Sequence, residues 1–195
     1  MDEMKSALER AMERADRLGK ASEEDRMKWQ YLPEGEKLAA DHMKGDSDLL
    51  AELGKYDDDA RRHVVEGAQK VLVGSMDLPR SDGDKGRNKK AMEAIKELKR
   101  DKVGVENVFT KMRRVFNHYE QEGEQQRRQA YEEVKRDIEA KLRQAMQQSG
   151  QEAPAKINVE SQPQFQQEWR RVMSQLDSQY VNLLEEYKQE ILGTS

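Results

Sequence analysis

Between residues 164 and 191 the apolar side chains Phe165, Trp169, Val172, Leu176, Tyr180, Leu183, Tyr187 and Ile191 follow one another at steps of three and four. That spacing holds one face of a helix over its whole length and fits no strand. The order of the steps is an eleven-residue repeat, about 3.67 residues per turn. The segment before it carries the same phase in Tyr131, Val134, Ile138, Leu142 and Ala145. Two helices with the same drift can lie side by side with little left-handed supercoil, and a connection short relative to their length makes them antiparallel. The expected fold is therefore all-α: an N-terminal cluster of short helices and a long antiparallel helical hairpin, coiled-coil-like with hendecad spacing. Its turn is expected at about 149–163, where Gly150, Pro154 and Pro163 fall.

Composition agrees with long helices that bury narrow stripes. Charged residues make up 38% of the 195 and the hydrophobic set 35%, with a mean hydropathy of −1.12. A chain this polar is either disordered or built from helices with wide solvated faces, and the strict periodicity selects the second. At 1.5 Å per residue, a helix over 164–191 is about 42 Å long and one over 105–148 about 66 Å. If both are straight, Val105 to Tyr119 overhangs the shorter arm by about 24 Å. The narrow stripes and this unmatched end imply a homo-oligomer or another protein partner.

Helix signals elsewhere are short. Met4, Leu8, Ala11, Met12, Ala15 and Leu18 mark a first helix over about 2–18. Ser22 with Asp25 has the form of a capping box for a helix to about Tyr31, which Pro33 is expected to break. Further helices are expected over 34–43, over 48–53 with Asp46 or Ser47 as cap, and over 60–73 behind Asp57-Asp58-Asp59. Three adjacent acids at that position suit the positive end of a helix dipole. Residues 77–88 are polar, rich in turn formers and without apolar periodicity, so they read as a linker or mobile loop. The organisation expected is thus 1–76 as short-helix cluster, 77–88 as linker, and 89–195 as the long helices, the first ending near Arg100 with a kink or interruption at Val103-Gly104-Val105.

Charge is uneven along the chain. Residues 1–84 hold 14 basic and 21 acidic side chains, residues 85–118 hold 11 and 4, and residues 119–195 hold 10 and 14. A basic block between two acidic ones either matches acids of the same chain or meets an anionic partner such as nucleic acid. Lys111, Arg113 and Arg114, near Phe109, Phe116 and Tyr119, are the candidate contacts for such a partner. Trp29 and Tyr31, beside the expected break, are the candidate docking patch for a protein.

Motifs of chemistry are missing from the sequence. There is no cysteine, so no disulfide, thiolate metal site or cysteine nucleophile can form. His42, His63 and His118 stand alone, without metal-ligand spacing. The run from Asp82 has Glu93 at its twelfth position, the outline of a calcium loop. It has Arg87 where the sixth-position glycine belongs and four nearby cations. Phosphate-loop, dinucleotide and nucleophile-elbow patterns are absent. No stretch of 18 apolar residues exists, which leaves no membrane span, and the charged start lacks a signal-peptide core, making the cytoplasm the expected compartment. No cofactor, metal or catalytic residue is expected.

Met4 to Glu13 and Tyr31-Leu32-Pro33-Glu34-Gly35-Glu36-Lys37-Leu38-Ala39-Ala40 resemble an uncharacterised bacterial all-helical family of unknown function. The resemblance implies an all-helical fold and no activity. The chain as a whole reads as a non-enzymatic helical interaction protein (a scaffold, adaptor or chaperone-like subunit). The alternative is a nucleic-acid- or ribonucleoprotein-associated factor using residues 85–118.

Overall fold

Ser22 opens the first helix by the reciprocal capping box that its spacing to Asp25 suggests. Asp25 N–H donates to Ser22 Oγ at 3.1 Å, and Ser22 N–H donates to Asp25 Oδ2 at 3.1 Å. The Ser22 hydroxyl, donating to Asp25 Oδ2 at 2.7 Å, and then the Ser22 N–H hold the Asp25 carboxyl below its usual range. In this computed structural model, which describes residues 22–150 and 157–194, seven α-helices and no strand follow. They are α1 (Glu23–Lys44), α2 (Leu49–Leu53), α3 (Asp58–Ser75), α4 (Asp82–Leu98), α5 (Lys102–Glu120), α6 (Glu122–Gln148) and α7 (Pro163–Gly193). The expected helix over 2–18 and the middle of the expected turn lie outside the described residues. The protein is all-α.

The chain divides into two compact units. One holds the chain up to Ser75 together with Lys90–Leu98; the other holds Met76–Lys89 and the chain from Lys99 onward. The boundary falls inside α4.

In the first unit α1 packs along α3. Pro33 does not break α1, which runs through it. Pro33 lies on the exposed face, where the carbonyl it leaves without a donor can bond to water. The helix ends at Gly45, whose φ of 96° is open to glycine at little cost. The crossing with α3 is closer than ordinary side chains permit. A Cβ on Gly35 would lie 1.9 Å from the Val64 carbonyl oxygen, and one on Gly67 would lie 2.1 Å from that of Leu32. Gly35, Ala39, Ala60, Val64, Gly67 and Ala68 are accordingly all buried. Tyr56 ties the far end by donating to Glu34 Oε2 at 2.8 Å and meeting Tyr31 edge-on. Asp48, not Asp46 or Ser47, caps α2 by accepting from Leu50 and Ala51 N–H. Asp57 Oδ1 accepts from Ala60 N–H at 2.8 Å, so the first of the three adjacent acids serves the start of α3.

In the second unit the expected loop is shorter than its composition suggests. Only residues 77–81 are irregular, and 82–88 form the first two turns of α4. Ser81 starts the helix, accepting from Asp84 N–H at 3.2 Å. Asn88 then closes the irregular stretch against the helix, its amide bonding both the N–H and the carbonyl of Asp77. The interruption expected at 103–105 falls instead at Lys99–Asp101, because Asp101 accepts from Gly104 N–H and starts α5.

Segment 105–148 is not one straight helix. It breaks at Gln121 (φ −93°, ψ −79°), and α6 restarts immediately. The contacts of α7 with these two helices run in reverse order along the chain. Lys111 pairs with Glu190, His118 and Tyr119 meet Tyr180, and Tyr131 meets Trp169 and Phe165; just before α7, Glu160 of the connection pairs with Lys135. The expected overhang of Val105 to Tyr119 is therefore absent. Val105, Val108, Phe109, Met112, Phe116 and Tyr119 are all buried. The cause is the connection, which itself packs. Val159 is buried with Val134, Ile138 and Phe165, and Ile157 leans on the same cluster. The chain has already returned along α6 before α7 begins, so α7 reaches the whole of α5. Lys99 closes the far end, its ammonium donating to the Leu192 and Thr194 carbonyls at the end of α7, where a cation complements the helix dipole.

A candidate interaction groove

At its two ends α7 turns inward the face its apolar spacing predicts, burying Phe165 and Ile191, but between residues 176 and 188 the buried positions differ. Apolar spacing puts Leu176, Leu183 and Tyr187 in the core. The structure buries Asp177, Leu184 and Lys188 instead, each one residue on and so about 100° round the helix. Leu183 is left 39% exposed, and Leu176 and Tyr187 are half-buried. Two ionisable groups thus sit inside while a leucine beside them faces out.

Both buried charges have internal partners. Lys188 donates to Glu185 at 2.7 Å. Asp177 accepts from Arg80 Nη2 at 3.0 Å through Oδ2, while its Oδ1 is buried without a partner. Around Asp177 the side chains of the α5–α6 break converge. Burial and the neighbouring Asp177 carboxylate push the Tyr119 hydroxyl up from its ordinary pKa. Tyr180 packs edge-on against Tyr119 with centroids 5.1 Å apart, and its hydroxyl lies 2.8 Å from His118 Nδ1. The Arg127 guanidinium stands 4.1 Å above the Tyr119 ring and donates to the Tyr119 carbonyl at 3.1 Å. This polar knot locks the break to the middle of α7.

Beside the knot runs an open groove of about 690 Å³ between α5, α6 and α7. Its walls include Val115, Leu176 and Leu183, with Gln126, Gln175 and Gln179 as amides and Arg114 as the one cation. Apolar side chains flanked by amides offer area without demanding a charged ligand. A second cleft of about 640 Å³, on the other flank of the break, mixes Arg80, Lys85 and Arg127 with Asp82, Glu120 and Glu124, so its charges cancel.

The candidate anion contacts are dispersed. Lys111 is held by both Glu190 oxygens and lies 5.7 Å from the Tyr187 ring centroid. Arg113 pairs with Glu106. Arg114 has no ion pair or hydrogen bond among the described residues and lines the groove. Upstream in the basic block, Lys85 pairs with Glu120 and Arg87 with Asp84. Trp29 and Tyr31, two residues apart on α1, point to different sides. Trp29 is 54% exposed, while Tyr31 is half-buried against Tyr56. Asp177, Arg80, Arg127 and Tyr180 carry no sequence signal of a site. In the sequence, the stretch from Glu120 to Gln129 carries no apolar residue, and it is the one hint that something polar happens there. Among the described residues no group of three or more His, Asp or Glu is placed to hold a metal ion, and no helix is long and apolar enough to cross a membrane.

The fold and the groove together define an all-helical protein with an open, partly apolar groove beside a polar knot. Its sequence from residue 50 to residue 193 matches a family of unknown function, DUF6657, and the chain belongs to that family. The match lies beyond both stretches, Met4 to Glu13 and Tyr31 to Ala40, that carry the resemblance at the sequence level. No curated protein and no solved structure matches the chain.

Proposed function

We propose that this protein is a non-enzymatic helical interaction protein, of the scaffold, adaptor or chaperone-like kind, whose binding face is the groove between α5 and α7. The observation that carries this reading is the misplacement along α7: Asp177 and Lys188 are inside and Leu183 is outside. Burying a carboxylate and an ammonium costs free energy that two apolar side chains would not. Turning α7 by one residue would bring Leu176, Leu183 and Tyr187 in and the charges out. The observed rotation leaves an apolar stripe for something else to cover. Lys99, Asp177 and Lys188, three of the buried ionisable groups, each contact a partner within the chain, which supports a structural role for them over a catalytic one. The pairing of Lys85, Arg87, Lys111 and Arg113 with acids of the same chain favours a protein partner over a polyanion.

A photo-crosslinking side chain at Gln179, which lines the groove, tests the reading in the cell. It should give adducts of defined mass, whereas the same group at the exposed Glu133 of α6 should give none. Equal labelling from both positions, or none from Gln179, would remove the groove as a binding face.

A further inference from the structure

We draw no further inference here: the strongest candidate, the open groove between α5, α6 and α7 walled by Val115, Leu176 and Leu183, is the face already proposed for binding, and nothing in the structure shows what covers it.

Discussion

Asp177 and Tyr56 each have a specific compensation for the place they hold in the fold. Asp177 is buried on α7 with one oxygen on Arg80 and the other unpaired. Removing Arg80 leaves an uncompensated buried carboxylate, so Arg80→Ala should destabilise the second unit by about 1–3 kcal/mol. Replacing Asp177 by leucine and Arg80 by methionine together should cost little, because a well-packed apolar pair avoids the desolvation of both ions; urea melts followed by circular dichroism separate the two cases. Tyr56 is the second. Its hydrogen bond to Glu34, and then its burial, push its hydroxyl pKa up from 10.0 to about 12. A raised folded-state pKa stabilises the protonated form, so this contribution is fully present below about pH 10 and is lost as the pH climbs toward 12. The wild type should therefore lose stability between those values more steeply than Tyr56→Phe, whose loss should be shallower when melts are compared across that window.

At the scale of elements, the crossing of α1 and α3 and the facing of α7 make opposite demands on side-chain size. Gly35→Ala or Gly67→Ala forces α1 and α3 apart, and each should cost roughly 1–3 kcal/mol, read as a lower thermal midpoint. On α7 two adjacent leucines give an internal control. Leu184 is 2% exposed and Leu183 39%. Leu184→Ala should cost about 2–5 kcal/mol, while Leu183→Ala should change the stability of the monomer by about 0.5 kcal/mol or less. Reversed magnitudes would mean that α7 faces the other way. The sequence makes α5 legible, since Val108, Phe109, Met112, Phe116 and Tyr119 form one repeating apolar face, and all five are buried. It makes the caps at Ser22 and Asp57 legible too, because capping needs only neighbours in the chain. The facing of α7 is not legible: Leu183 and Leu184 satisfy the period equally well, and no polarity rule selects a stripe containing Asp177 and Lys188. Residues 82–88 read as a loop because two glycines and no apolar residue argue against a helix. Their helix is held by Ser81, by the Arg87–Asp84 and Lys85–Glu120 pairs, and by the Asn88 amide, the last two of which depend on the tertiary fold.

At the scale of the molecule, four of the eleven cations of residues 85–118, Lys85, Arg87, Lys111 and Arg113, pair with acids of the same chain. The basic block of residues 85–118 finds acids at Asp84, Glu106, Glu120 and Glu190. A fluorescently labelled oligonucleotide should accordingly show no saturable binding at moderate salt, whereas a free basic surface would bind with a steep salt dependence. Leu183 on α7 is left exposed beside the groove, as Trp29, Leu50 and Val103 are elsewhere. The central claim is that the groove lined by Gln179 is a binding face for a protein. Because the chain has no cysteine, a single cysteine at position 179 carrying a nitroxide reports on that groove alone. The account predicts a label that is mobile in the purified protein and immobilised in extract of the cells that make it. A label equally mobile in both would contradict it.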